Sequence, residues 1–418
     1  MATGGIAEVF CKDLLTDPSS RDVSDVRHEL VAVASSSSTS RATSFINGLD
    51  GADKAKSYGS YAELVSDPDV DIVYVATPHS HHFQNVMLAL RAGKNVLCEK
   101  ALTVNGSQAR VLVETARARN LFFMEAVWTR FFPLSIKIRE MISAGEIGTV
   151  YRTIGKLPPF PLLSRSQSLP DVSILETAGS QDGTVAVADS HRLVNKDLAG
   201  GALLDVGVYA LTWVFQSLYH VQPEGKEEAG KELPVVMAAS NQYRTGVDES
   251  TTVICRFPRH RSMGIATSSI LVGTKADGEP TTPAVRIQGS KGEIQVMYPA
   301  FRPTVYKVIR TTKQQPQIQE QLQQQQKQQQ QQGTVEVVEC PIPRDPKRNW
   351  GHGFFWEADE CARCIRDGKT ESQGLPWSES IAIMDTMESA LKQAGISYPD
   401  LITTDVFDEQ SPLNTGRR

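Results

Sequence analysis

The stretch Ile72-Val73-Tyr74-Val75-Ala76-Thr77-Pro78-His79-Ser80-His81-His82-Phe83-Gln84-Asn85-Val86-Met87-Leu88-Ala89-Leu90-Arg91-Ala92-Gly93-Lys94-Asn95-Val96-Leu97-Cys98-Glu99-Lys100-Ala101-Leu102 decides the fold. Residues 72–76 are apolar throughout rather than alternating, as in a strand covered on both faces. Residues 83–92 carry helical spacing, and residues 95–98 return to an apolar run. A strand, a helix and a second strand in that order make a right-handed parallel crossover. The theme recurs in strand-like residues 30–34 and 121–124 and in helix-like residues 107–119. The first third therefore reads as an α/β unit with a parallel sheet.

After about Gly148 the character changes. Residues 150–154, 235–238, 250–257, 263–271, 284–288, 293–297 and 304–310 are strand-like, and few helical crossovers separate them. That predicts an α+β second domain built on a mostly antiparallel open sheet. A helix over 201–219 interrupts it, and helices over 354–366 and 377–394 close it. The division is thus 1–148 and 149–418, with flexible insertions at 164–188 and 314–332. The second insertion is nearly all glutamine, which cannot bury a core and lacks an apolar heptad.

Composition narrows the classes. A length of 418 residues suffices for two domains, and a net charge of −5 argues against a broad basic surface for nucleic acid or acidic membranes. Hydrophobic residues at 40% and charged residues at 22% argue against global disorder. No uninterrupted apolar run approaches the roughly 18 residues of a membrane span. The opening Met1-Ala2-Thr3-Gly4-Gly5 has neither the basic nor the apolar segment of a signal peptide. Six scattered cysteines suit a reducing cytosol, so a cytoplasmic protein is expected.

Ala2-Thr3-Gly4-Gly5-Ile6-Ala7 matches the end of a G-x-G-x-x-G/A dinucleotide loop, with Ala2 in place of the first glycine. Such a loop brings main-chain N–H groups and a helix N-terminus to a pyrophosphate. It should follow a strand, for which Met1 leaves no room, so the Rossmann-type sheet is expected to lack its first strand. At the end of the second strand, Ser35 and Ser36 lead a hydroxyl-rich run to Arg41 where an acidic residue would hold a ribose 2′-OH. Hydroxyls with an arginine favour a 2′-phosphate, hence NADP over NAD.

Thr77, Pro78, His79 and His82 lie just past a strand end, where a parallel sheet lines its ligand crevice. The close histidines invite a zinc site, but no third ligand stands nearby and no metal is expected. Glu99 and Lys100 follow the next strand, where an ammonium could donate to a substrate oxygen. Asp205 and Tyr209, four apart, share a helical face. Spacing alone reads them as a dipole-serving aspartate and a core tyrosine, although a phenol beside an ammonium ionises more easily. Cys361 and Cys364, a lone C-x-x-C within a helix, read as structural.

Four stretches, VATPHSHHFQNVMLALRAGKNVLCEKAL, EAVWTRFFP, HRLVNKDLAGGALLDVGVYALTW and GHGFFWEADE, resemble in order the glucose–fructose oxidoreductase/inositol dehydrogenase (Gfo/Idh/MocA) family. Within it they are most similar to the branch of NADP-dependent sugar and dihydrodiol dehydrogenases. The resemblance implies that Lys100, Asp205 and Tyr209 are catalytic, and that Thr3, Gly4, Gly5, Ile6, Ser35, Ser36, Arg41, Thr77, Pro78, His79, His82 and Glu99 hold NADP. It implies that Trp128, Arg130 and Phe131 flank the substrate, and that the open sheet pairs two copies in a homodimer. The family's Glu-Lys-Pro motif is here Glu99-Lys100-Ala101.

The activity implied is oxidation of the anomeric carbon of an aldose, D-xylose first, to the lactone. Lys100 would hold the hydroxyl, Tyr209, its pKa lowered by Lys100, would take the proton, and Asp205 would orient both. Alternatives are a trans-dihydrodiol dehydrogenase, a dicarbonyl-sugar reductase, a nucleotide-sensing regulator without catalysis, or an inactive homologue lacking its first strand.

Overall fold

The computed structural model describes residues 1–157, 187–223, 230–272, 282–311 and 333–416. The glutamine-rich insertion lies outside the described residues, as does the other insertion up to residue 186.

Helix α1 (Gly5–Leu14) starts at the glycine pair and is followed by β1 (Ala32–Ala34), α2 (Thr39–Asn47), β2 (Lys56–Tyr58) and α3 (Tyr61–Ser66). Then come β3 (Ile72–Val75), α4 (His79–Arg91), β4 (Asn95–Glu99), α5 (Gly106–Ala118), β5 (Phe123–Ala126) and α6 (Pro133–Ser143). Every pairing here is parallel: β1 with β2, β3 with β4, and β4 with β5. Helix α4 starts four residues earlier than the spacing predicts, at His79, because Pro78 serves as its N-cap in an extended conformation. The histidines thus sit on its first turns rather than on a loop.

The two parallel sheets, β1–β2 and β3–β4–β5, are separate. Between them runs the main chain of Met1 and Ala2. The Met1 amine donates to Tyr74 O at 2.9 Å, Met1 O accepts from Ala76 N at 3.1 Å, and Ala2 N donates to Ala34 O at 3.1 Å. These two residues stand where the expected first strand of a dinucleotide-binding sheet would run. Burial lowers the Met1 amine to about 6.

The second half contains β6 (Val150–Leu157), α7 (Val208–Leu218), β7 (Val235–Gln242), β8 (Asp248–Phe257), β9 (Ser262–Ser269), β10 (Pro283–Gly289), β11 (Gly292–Met297), β12 (Val305–Arg310) and β13 (Thr334–Glu339). It closes with α8 (Phe355–Arg366), α9 (Trp377–Gln393), α10 (Asp400–Thr403) and α11 (Pro412–Thr415). The eight strands form one sheet in the order β13-β12-β11-β10-β6-β9-β8-β7, antiparallel except for β6 beside β9. Helix α7 packs on one face, where small residues admit it. A Cβ on Gly155 would lie 3.1 Å from Ala210 O, and one on Gly264 only 2.1 Å from Val214 Cγ1. The helical span 196–218 is long and apolar enough to cross a membrane, but 94% of its most apolar 18-residue stretch is buried in the protein, as befits a core helix.

Candidate functional site

The loop after β4 presents Lys100 to the second half of the chain. Its Nζ donates to Asp205 Oδ1 at 2.9 Å and to Asp205 O at 2.7 Å. Asp205 lies in a π-helical turn, Leu203–Gly207, that leads into α7. Such wide turns cluster at functional sites, and this one turns the Asp205 carbonyl toward Lys100. A second cation, the half-exposed Arg192, donates to Asp205 Oδ1 at 3.0 Å. Burial works to raise the Asp205 pKa, but Arg192 and Lys100 hold the carboxyl far below the usual carboxylate range.

Two glycines and an aspartate shape that turn. Gly201 has φ +121°, and a Cβ there would fall 2.1 Å from Asp248 Oδ1. Asp248 Oδ2 accepts from Leu203 N at 2.7 Å and from Thr251 Oγ1 at 2.8 Å, fixing the start of the turn. Gly200 sits against the main chain of Arg192 and Leu193, where a Cβ would be 2.7 Å from Arg192 O.

One helical step on, Tyr209 comes under Lys100, whose Nζ is 5.2 Å from the phenol ring centroid. The ammonium and the phenol, from different halves of the chain, therefore converge. The Tyr209 hydroxyl accepts from Trp128 Nε1 at 3.2 Å. The lowering of the Tyr209 pKa expected from Lys100 is not found. Burial first, then the charge of Glu99, push it well above 10.0, and the Trp128 hydrogen bond opposes them. Trp128 belongs to an aromatic wall, stacked on Phe354 at 4.0 Å and on His352 at 5.3 Å, with Phe301 6.2 Å away.

The strand-end residues divide. His79 is buried, its Nδ1 3.2 Å from Ala199 O, and burial with the Lys100 charge lowers it to about 3, so it is neutral. Thr77 Oγ1 is buried with no partner among the described residues. His82, expected at the cofactor, is fully buried instead. Its ring nitrogens lie 2.9 Å from the carbonyl oxygens of Ala101 and Thr77, tying together the loops after β3 and β4. Glu99 is likewise turned inward, accepting from the Tyr74 hydroxyl at 2.5 Å. The Lys100–Ala101 peptide is cis.

At the other end of the crevice, the N-terminus of α1 is open. A Cβ on Gly4 or Gly5 would meet nothing within 4 Å, and Ile6 beside them is exposed. Ala2, at the first-glycine position, has φ +87°, a conformation that favours glycine. Ser38 caps α2 by accepting from Arg41 N at 3.3 Å, and the Arg41 side chain is exposed there.

Of the aromatic segment, Trp128 alone reaches Tyr209. Arg130 is fully buried: Nη1 donates to Glu379 Oε1 at 2.7 Å and Nη2 to Gly374 O at 2.6 Å. Phe131 is buried against Gly374, whose added Cβ would sit 3.1 Å from its ring. Arg130 is thus turned onto Glu379 of α9 and the Gly374 carbonyl, and Phe131 onto Gly374, rather than toward Tyr209. Sequence reasoning missed Arg192, Asp248, Phe301 and His352. Arg192 lies within the quoted stretch that holds Asp205, and the Gly200-Gly201 pair signalled a close approach there. Among the described residues, no three His, Cys, Asp or Glu side chains gather as metal ligands.

Residues 3–127 match the family described as GFO_IDH_MocA, an oxidoreductase family with an NAD-binding Rossmann fold. The chain is 61% identical over 420 residues to a D-xylose 1-dehydrogenase (NADP(+)) of Hypocrea jecorina, covering 100% of this chain and 97% of that protein. This chain belongs to the Gfo/Idh/MocA family. It is 31% identical over 399 residues to the human trans-1,2-dihydrobenzene-1,2-diol dehydrogenase, covering 96% and 97% of the two chains. In fold it matches an NAD binding oxidoreductase from Klebsiella pneumoniae, with a TM-score of 0.68 at 18% identity over 94% of this chain and 95% of the other. A levoglucosan dehydrogenase in complex with NADH and levoglucosan gives a TM-score of 0.67 at 17% identity, over 94% and 95%.

Proposed function

We propose that this family member oxidises the anomeric carbon of an aldopyranose with NADP, and that D-xylose is its substrate. The observation that carries the reading is the convergence of Lys100 and Tyr209, with Nζ 5.2 Å from the phenol ring. The similarity to the Hypocrea jecorina enzyme over the whole chain supports it.

The residues present fit a dinucleotide. The open Gly4-Gly5 helix start suits a pyrophosphate. Ser36 and the exposed Arg41 suit a 2′-phosphate, whereas Ser35 is buried with its hydroxyl 3.0 Å from Ser37 Oγ, and the orphaned Thr77 hydroxyl with neutral His79 suits the ribose and ring at the nicotinamide end. When bound, NADP supplies the acceptor for the hydride from C1. Lys100 holds the C1 hydroxyl oxygen and favours its deprotonation. Tyr209 takes the proton, and the N–H of Trp128 stabilises the phenolate oxygen that does so. Asp205, kept ionised, fixes the direction of the ammonium. The two halves of the chain shut the reacting atoms away from water.

An aromatic wall of Trp128, Phe354, His352 and Phe301 supports a second reading, a flat dihydrodiol stacked on those rings. Absorbance of NADPH with D-xylose, D-glucose and a trans-dihydrodiol separates the two. D-Xylose should give the highest kcat/KM, and no turnover with any of the three in folded protein would end the dehydrogenase reading.

The outer face of the eight-stranded sheet supports a homodimer. Met237, Ile254, Ile265 and Ile154 are register neighbours across four strands, and Met237 and Met263 are exposed. A cross-strand apolar row is self-complementary about a two-fold axis. Sedimentation should give a dimer that Ile265→Lys converts to monomer; a monomeric parent protein excludes the pairing. Six free cysteines, five of them buried, support a cytoplasmic location.

A further inference from the structure

Beyond α9 the chain turns back onto the first domain and runs along it as a strap. Side-chain amides of α4 and α5 hold its main chain. Gln108 Nε2 donates to Ile402 O at 2.9 Å and Thr404 O at 2.8 Å, and Asn105 Nδ2 to Thr403 O at 2.8 Å. Gln84 Nε2 donates to Val406 O at 2.9 Å and its Oε1 accepts from Asp408 N at 3.0 Å. Asn85, wholly buried, donates to Leu413 O and to Asn414 Oδ1, each at 3.0 Å, while Asn414 Nδ2 donates back to Asp408 O at 2.9 Å. Desolvated amides paired in this way fix one geometry, because each broken bond would leave a buried polar group unsatisfied.

The strap is led to one place. Helix α11, capped by Ser411, turns at Gly416 with φ +66° and sets it against Ser36. A Cβ on Gly416 would lie 2.8 Å from Ser36 O and 2.9 Å from Ser36 Cβ and Oγ. Ser36 belongs to the hydroxyl-rich loop between β1 and α2.

We propose that the strap 404–416 is a positioning element of the nucleotide site. It holds the loop of Ser35, Ser36 and Arg41 in the form that receives the 2′-phosphate, and so helps set the choice of NADP over NAD. The proposal rests on reading that loop as the 2′-phosphate site. A loop backed at Ser36 by a fixed surface keeps its shape, and with it the placement of Arg41, without an ordering cost on binding. The loop offers a 2′-OH no acidic partner, so NAD should depend on the strap far less than NADP does.

Calorimetric titration of the full chain with NADP⁺ and with NAD⁺ tests this, alongside steady-state kinetics. Arg41→Ala probes the loop itself and should weaken NADP⁺ at least about tenfold more than NAD⁺. Gly416→Val adds a side chain where Ser36 already lies, and Asn414→Ala removes one of the two Asn85 bonds to the strap together with the Asn414–Asp408 bond. Each should weaken NADP⁺ by about tenfold relative to NAD⁺ and raise the KM for NADP, with kcat at saturating NADP within about twofold. Equal effects on both nucleotides, or none, while Arg41→Ala discriminates, would overturn the role of the strap. No discrimination by Arg41→Ala would overturn the reading of the loop, and the role of the strap with it.

Discussion

The Lys100 ammonium is gripped twice by Asp205, through Oδ1 at 2.9 Å and through the main-chain oxygen at 2.7 Å. Asp205→Asn should keep the main-chain contact and the fold but leave Lys100 and Arg192 sharing a neutral amide. We expect kcat on D-xylose to fall by about a hundredfold with little change in the KM for NADP. An unchanged kcat would remove Asp205 from the machinery.

Tyr209 predicts the pH profile. Burial and Glu99 raise its pKa well above 10.0, so below that value the phenolate fraction climbs with pH. Oxidation of the sugar needs the phenolate and should accelerate up to and past pH 10.0. The reverse reduction needs the phenol and should stay flat over the same range. Tyr209→Phe should lower kcat by at least about a hundredfold and abolish the slope. A plateau near neutrality would mean that Lys100 depresses the phenol after all.

Gly201→Ala should unfold the π turn before it touches chemistry. Both the φ of +121° and the 2.1 Å approach to Asp248 oppose a methyl group there. A loss of about 2–4 kcal/mol is expected, read as a lower urea midpoint. Wild-type stability would show that the turn can relax around the added carbon.

Ala2→Gly should act in the opposite sense. With φ at +87°, the alanine is strained by about 1 kcal/mol, which glycine would relieve. The melting temperature should rise by about 1 °C in a chain of this length, and a fall would show that the methyl group contributes packing worth more than the strain.

Arg130→Ala separates packing from substrate contact. Removing one partner of the buried Arg130–Glu379 pair should cost about 3–5 kcal/mol. The protein that remains folded should bind D-xylose with its usual KM. A raised KM without loss of stability would return Arg130 to the pocket.

What could be read from the chain follows from how local each signal is. Lys100 is legible because an apolar run ends just before it, whereas Asp205 and Tyr209 read from spacing alone as a dipole-serving aspartate and a core tyrosine, and only the resemblance to the family marks them as site residues. Arg130 misleads, since its partner Glu379 is 249 residues away and no local pattern distinguishes a buried guanidinium from one at a pocket rim. His82 misleads for the same reason: a histidine after a strand looks like a ligand until both ring nitrogens are seen facing carbonyls. Phe301 and His352 arrive on irregular segments, held by Thr129 and by Asp13 respectively, and carry no periodicity to betray them.

The seam at Met1 and Ala2 has a mechanical consequence. Two stiff plates, β1–β2 and β3–β4–β5, are stitched across the gap by those residues. A dinucleotide lying over the strand ends touches both plates, adenosine side and nicotinamide side, and so acts as a splint across the joint. Amide hydrogen exchange at Ala2 and Ala76 should slow on adding NADP⁺ more than it does in the distant sheet, and heat should open the unliganded protein along this line first.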